Sequence, residues 1–118
     1  MVFEFQQKVL FKHCDPAGIV FYPRYFEIIN DCVEAFFDDA LGTPGEGLHI
    51  NAATPTVAIE TTFPNRSQHG DVLDISLDVS HVGTTSLGLR LLARCNDQIR
   101  FEAKLTLVYV GSQGRPQR

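Results

Sequence analysis

One stretch of helical periodicity, residues 23–41, is followed by four stretches that alternate apolar and polar residues, and this order restricts the possible folds more than any other feature. Phe26, Ile29, Val33, Phe36, Phe37 and Leu41 recur at helical spacing and define a broad apolar face. Pro23 suits the first helical turn, where a missing N–H costs nothing, and Gly42 suits a left-handed residue just past the end. Arg24 in the first turn and Asp38 and Asp39 in the last oppose the macrodipole, so burial against other elements must hold this helix. Residues 43–53 read as loop. The alternating sets are Val57, Ile59, Thr61 and Phe63; Leu73, Ile75, Leu77 and Val79; Leu87, Leu89, Leu91, Ala93 and Cys95; and Ile99, Phe101, Ala103, Leu105, Leu107 and Tyr109. Asn96-Asp97-Gln98 fits a hairpin turn between the last two, and Val82-Gly83-Thr84 a looser turn before them.

Ahead of the helix, residues 2–12 read as a strand with Phe3, Phe5, Val9 and Phe11 on one face. One helix and five strands, four of them consecutive, predict an α+β layer in which an antiparallel sheet covers one long helix. The strands near residues 73–82 and 99–110 are long enough for the sheet to curl around it. The outer face is expected to carry Asp74, Ser76, Asp78 and Ser80 on one strand and Arg100, Glu102, Lys104 and Thr106 on another. Two open edges would remain, and pairing through an edge strand predicts a dimer.

The 118 residues fit one domain, residues 1–118, with 44% hydrophobic and 20% charged residues arguing for a packed globule. The net charge of −4 and the lack of a Lys/Arg cluster argue against nucleic acid as a partner. An anionic ligand would have to find its cations locally. No apolar run approaches the ~18–20 residues that span a bilayer, so no membrane partner is expected. The alternating N-terminus lacks the layout of a signal peptide. Cys14, Cys32 and Cys95 are odd in number and unrelated in spacing, which suggests neither a disulfide framework nor a zinc motif; a reduced, cytoplasmic protein is the simplest reading.

The chemistry concentrates in His13-Cys14-Asp15-Pro16-Ala17-Gly18-Ile19-Val20-Phe21-Tyr22-Pro23-Arg24-Tyr25. Asp-Pro-Ala-Gly fits a type I turn, with Asp first, Pro pre-set for the second position and Gly fourth. Asp15 thus sits shortly before a helix start, where unpaired N–H groups and partial positive charge stabilise a developing oxyanion. Such a carboxylate can attack an activated carbonyl or deprotonate water. The plain alternative is that Asp15 only bonds its own backbone, as Asp in such turns commonly does.

Other residue types offer less. His13, His49, His69 and His81 have no ligand spacing, and adjacent residues His13, Cys14 and Asp15 point in different directions. His13 and Cys14 read as packing at a strand end. His69, in Gln68-His69-Gly70-Asp71, reads as a turn residue, with a role near a bound substrate as the lesser alternative. Cys32 belongs to the helix beside its apolar face, where core packing is the default. There is no G-x-S-x-G elbow, and the Gly42–Gly47 run has no Lys to cradle phosphate.

The segment from Cys14 to Tyr25 resembles the signature of hot-dog-fold thioesterases of the 4-hydroxybenzoyl-CoA group: an Asp-Pro-Ala-Gly-Ile-Val run, an aromatic-Tyr-Pro step, then a helix. Phe63-Pro64-Asn65-Arg66-Ser67-Gln68-His69-Gly70-Asp71-Val72-Leu73 resembles that family's turn ending in Asp-Val-Leu. The resemblance implies a curved five-stranded antiparallel sheet wrapped around one long helix, and a homodimer or homotetramer with active sites at subunit interfaces. It implies hydrolysis of an acyl-CoA thioester, an aryl-CoA such as 4-hydroxybenzoyl-CoA among the candidates. Asp15 matches the catalytic carboxylate, nucleophile or general base, and Tyr22 the position whose amide polarises the thioester carbonyl. Gly18 and Asn30 match substrate-binding positions, Asn30 where the family carries an acid facing the substrate phenol. No metal or cofactor is implied beyond coenzyme A as part of the substrate. The family's basic residues before its fourth strand correspond here to Val82-Gly83-Thr84-Thr85, which has no cation, leaving Arg66, Arg90, Arg94 and Arg100 as substitutes and coenzyme A versus acyl carrier protein open. A non-catalytic acyl-thioester-binding or assembly module is the alternative of a different class; a dehydratase, which pairs His with a carboxylate, ranks last.

Overall fold

A computed structural model describes residues 2–40 and 55–108. Within them the elements are β1 (Val2–Lys8), a 3-10 turn (Phe11–His13), α1 (Tyr22–Ala40), β2 (Thr56–Thr62), β3 (Val72–Val82), β4 (Ser86–Cys95) and β5 (Gln98–Val108). The five strands form one sheet in the order β1-β3-β4-β5-β2, with every pairing antiparallel. The curved sheet holds α1 against its inner face, and the apolar stripe anticipated from the sequence is the contact surface. Ile28, Ile29, Cys32, Val33 and Phe37 are buried there against Leu73, Ile75 and Leu77 of β3, Leu89 and Leu91 of β4 and Phe101 and Leu107 of β5. At ~25 cal/mol per Å² of apolar surface removed from water, this layer supplies the stabilisation that the helix's adverse charge pattern withholds. Burial pushes the Cys32 thiol up to about 12, so it stays protonated and serves as packing.

Three expectations are corrected. β1 ends at Lys8 rather than Lys12, because the chain folds into the 3-10 turn; Phe11, expected on the inner face, is 81% exposed. β2 ends at Thr62, which puts Phe63 beyond the strand, and Val57 and Ile59 are exposed because β2 is an edge whose inner face α1 does not reach. The third concerns phase: Ile99 is exposed and Arg100 buried, the reverse of the expected alternation. A register irregularity between Ala93 and Arg94 bends this end of the β4–β5 pair, and residues 65–71 fold over Arg100. Leu41, the loop at 43–53 and Tyr109 lie outside the described residues.

Two of the antiparallel registers define one end of the sheet. Lys8 pairs with Val72, and Cys95 pairs with Gln98, so the exit of β1, the start of β3 and the β4–β5 hairpin share that end. The hairpin turns through Asn96 and Asp97 at φ 51° and 61°, the left-handed pair that a two-residue turn between twisted strands demands.

Candidate active site

Local hydrogen bonds fix the chain between β1 and α1 one turn at a time. The amide of Val9 donates to Asp71 O (2.7 Å) and that of Gly70 to Val9 O (2.9 Å), which ties the exit of β1 to the loop before β3. In the 3-10 turn the His13 amide donates to Leu10 O (2.9 Å), while the Leu10 amide donates to His13 Nδ1 (2.9 Å). Nδ1 is therefore an acceptor, and the imidazole is held neutral. His13 is 3% exposed, and burial, reinforced by Lys12, lowers its pKa against the opposing pull of Glu27 and Asp31. The expectation of strand-end packing is thus met by a residue that also closes the turn upstream of Asp15.

Asp15 opens a tight loop of its own. The Gly18 amide donates to Asp15 O (2.9 Å), the Asp15 amide donates to Ile19 O (2.9 Å), and Cys14 and Val20 form an antiparallel bridge. This is a type I turn closed by a left-handed residue, and Gly18 at φ 82° occupies that position. A Cβ there would meet nothing within 4 Å, so the backbone angle and not space requires glycine. The Ala17 amide donates to Asp15 Oδ1 (2.9 Å), so the turn-forming role exists alongside any chemical one. It also orients the carboxylate: among the described residues Oδ2 has no hydrogen-bond partner.

The loop is then pinned from both sides. The Val20 amide donates to Ser67 O (2.9 Å), the Phe21 amide to His13 O (3.0 Å), and the His69 amide to Gly18 O (3.2 Å). Tyr22 begins α1; its amide is one of the first-turn N–H groups without an intrahelical acceptor, and Pro23 behind it has none to compete. The Tyr22 side chain is 61% exposed.

Phe11, Cys14, Asp15, Pro16, Gly18 and His69 line a hollow of about 440 Å³. Asp15 and Gly18 therefore share this hollow, whereas Tyr22 and Asn30 are not among the residues that line it. Asn30 lies on a second hollow of about 480 Å³ with Lys12, Phe26, Glu27 and Asp31, farther along the helix. His69, expected chiefly as a turn residue, also lines the Asp15 hollow, its ring edge-on to Phe11 at 6.1 Å. The pairing that brings it there, an Ile19–Gln68 bridge, is non-local and has no signature in either segment alone. Burial and the neighbouring Asp15 charge raise the Cys14 thiol, which disfavours its thiolate.

A buried arginine braces the loop that carries His69. Arg100 Nη1 donates to Asp71 Oδ2 (2.7 Å), Arg66 O (3.0 Å) and Ser67 Oγ (3.4 Å), and Nη2 to Cys95 O (3.3 Å). Burial alone would raise the Asp71 pKa, but the Gln68 amide and Arg100 outweigh it, and the carboxyl is held below its ordinary value. Ser67 O and the His69 amide in this same loop hold the Asp15 turn, so the position of the carboxylate depends on a side chain three strands away. Among the described residues no group of three His, Cys, Asp or Glu side chains is disposed to hold a metal ion, and no helix is long and apolar enough to cross a membrane.

No protein-family model and no curated protein sequence matches the chain. Solved structures do. 4-Hydroxybenzoyl CoA thioesterase from Pseudomonas sp. strain CBS-3 is 25% identical, with a TM-score of 0.84, over 99% of this chain and 90% of that one. A probable thioesterase from Bartonella henselae is 18% identical at a TM-score of 0.87, over 100% and 98%. A Staphylococcus aureus protein solved in complex with CoA is 19% identical at 0.87, over 100% and 75%. With one long helix on a five-stranded antiparallel sheet among its described residues, the chain shares the hot-dog fold of these thioesterases.

Proposed function

We propose that this protein hydrolyses an acyl-CoA thioester to a free acid and a thiol, with Asp15 as the catalytic carboxylate. The observation that carries the reading is the Asp15 turn itself. It holds one carboxylate oxygen on the Ala17 amide, leaves the other without a partner among the described residues, lines a hollow, and lies just ahead of a helix N-terminus. Asp15 either adds to the thioester carbonyl or takes a proton from the attacking water. In both cases negative charge grows on the carbonyl oxygen, and the Tyr22 amide is the donor we assign to it. Gly18 lets the thioester approach the turn closely, and Asn30 offers a hydrogen bond to a polar acyl group. An aryl group such as 4-hydroxybenzoyl is one acyl candidate, supported by the structures solved with that substrate and with CoA. No resident metal or cofactor enters the scheme.

We further assign a homodimer, or a tetramer built from it, with β2 as the pairing edge. β2 is terminal in the sheet, and Val57 and Ile59 on it are 58% and 42% exposed, an apolar edge that an isolated subunit leaves to water. The three free cysteines suit a reducing, cytoplasmic setting.

The test is thiol release from aryl, short-chain and long-chain acyl-CoA esters at equal concentration, beside the same acyl groups on acyl carrier protein. Many turnovers on at least one CoA ester are expected. Tight binding with no turnover would transfer the reading to a non-catalytic acyl-thioester module, and turnover confined to the carrier protein esters would transfer it to acyl-ACP hydrolysis.

A further inference from the structure

On the far side of the 65–71 loop from Asp15 lies a hollow of about 280 Å³ whose lining is polar throughout: Asn65, Arg66, Gln68, Asn96, Gln98 and Arg100, together with Asp71. We propose that it is an oxyanion site which holds the phosphates of the thioester's carrier, coenzyme A. The proposal rests on the acyl-CoA reading above and places the cations that the β3–β4 turn lacks.

Three observations support it. The first concerns where the other cations go. Arg90 is opposite Asp78 and bonded to Glu102 (3.2 Å), Arg94 is opposite Asp74, Lys104 is opposite Glu60, and Arg24 is paired with Glu27 (2.6 Å). Among the described residues Lys8, Lys12, Arg66, Arg94 and Lys104 make no ion pair, and of these Arg66 shares its hollow with a second arginine. Two guanidinium groups against one Asp71 carboxylate leave the hollow with net positive charge in a chain of net charge −4.

The second observation concerns Arg100. It is 5% exposed, and its Nε has no hydrogen-bond partner. Its loop and hairpin acceptors are reached through Nη1 and Nη2, with Asp71 on Nη1. That atom is out of reach of solvent, so Arg100 acts on a ligand in the hollow through its fixed charge and not through a new Nε hydrogen bond. Arg100 thus forms a fixed, positively charged floor, and exposed Arg66 supplies the adaptable cation at the rim. Arg–phosphate recognition uses this division between a preset fork and a mobile partner.

The third is position. The hollow and the Asp15 turn share the end of the sheet where β1 exits and the β4–β5 hairpin turns. Gln68 faces the polar hollow and His69 the Asp15 hollow, so a ligand crossing this loop joins the two. Gly70, with no side chain and open space around its Cβ position, keeps that crossing low.

An oxyanion here could belong to the carrier or to an acyl group that bears a carboxylate, and the experiment separates them. Steady-state hydrolysis is measured for wild type and Arg66→Gln with one neutral acyl group on coenzyme A and on N-acetylcysteamine, which has no phosphate, and with a carboxylate-bearing acyl group on N-acetylcysteamine. Direct binding of inorganic pyrophosphate is measured by calorimetry on the same two proteins. Arg66→Gln is expected to raise KM for the CoA ester by about tenfold, to leave kcat within about twofold, and to leave both N-acetylcysteamine esters unchanged. It should weaken pyrophosphate binding by a similar factor. An unchanged KM for the CoA ester, an equal loss on the carboxylate-bearing N-acetylcysteamine ester, or no pyrophosphate binding to wild type would each overturn the assignment. If neither protein hydrolyses any ester, the acyl-CoA reading fails separately, and pyrophosphate binding alone decides whether the hollow takes an oxyanion.

Discussion

The two ends of the sheet are built to different rules. The end with the β3–β4 hairpin is made of short polar residues: Thr84 and Thr85 are exposed, Val82 is 68% exposed, and the turn closes through one backbone bond from the Gly83 amide to Ser86 O (2.8 Å). The end with the β4–β5 hairpin collects buried His13, buried Arg100, the Asp71 carboxylate and the left-handed Gly18 within one hydrogen-bonded unit around Asp15. Buried polar groups and left-handed backbone cost stability, and apolar packing would hold a hairpin end more cheaply. Their concentration at one end teaches that this end is shaped for the position of a carboxylate, whereas the other only turns the chain.

The sharpest way to break this contrast is Arg100→Met. It leaves Asp71 without its partner and frees the 65–71 loop, and it should destabilise the fold by about 3 kcal/mol, read by urea denaturation. Thr85→Ala at the opposite end should stay within about 0.5 kcal/mol. Equal losses at both ends would erase the distinction.

His13→Ala comes next, with an expected loss of about 1–2 kcal/mol from the broken Leu10 hydrogen bond and the cavity beneath the turn. A smaller cost, about 1 kcal/mol, is expected for Gly18→Ala from its φ of 82°. Because no Cβ clash accompanies that cost, Gly18→Asn should recover part of it. No recovery would mean that something other than the backbone angle selects glycine.

The pH dependence sharpens the comparison with the gentlest perturbation. His13 has a folded-state pKa below 6.5, so the unfolded chain binds the proton more readily and stability falls as pH drops below about 6.5. Asp71 has a folded-state pKa below its ordinary value, so its contribution is present at neutral pH and is lost only as pH falls below the usual carboxylate range. Denaturation midpoints between pH 7.5 and 5 should therefore drop for wild type and drop less for His13→Gln. A slope unaffected by that substitution would remove His13 from the account.

Much of this architecture is legible in the chain. The helix and four of the strands follow from periodicity, because α1, β3, β4 and β5 each bury one face in the shared core while β2 keeps the alternation at an exposed edge, and Asp-Pro-x-Gly announces the Asp15 turn through the backbone preferences of its own residues. The misses share a physical cause. Phe11 carries the strand's rhythm past its end, since alternation cannot show where hydrogen bonding stops. Arg100 and Ile99 exchange places because a bulge shifts the phase by one residue, and only a loop arriving from residues 65–71 makes the interior tolerable for a guanidinium. His69 meets Asp15 through strand-like pairing between segments about fifty residues apart, a contact that no local pattern encodes.

The central claim is that the Asp15 carboxylate performs the chemistry and does not merely form the turn. Asp15→Asn retains an oxygen that can accept from the Ala17 amide, so the turn is preserved while the charge is removed. Thiol release from the best acyl-CoA ester, measured beside CoA ester binding and the denaturation midpoint, isolates the chemical role. The account predicts a fall in kcat of at least ~10²–10⁴ with binding and stability nearly unchanged; retained kcat in a folded Asp15→Asn protein would contradict it.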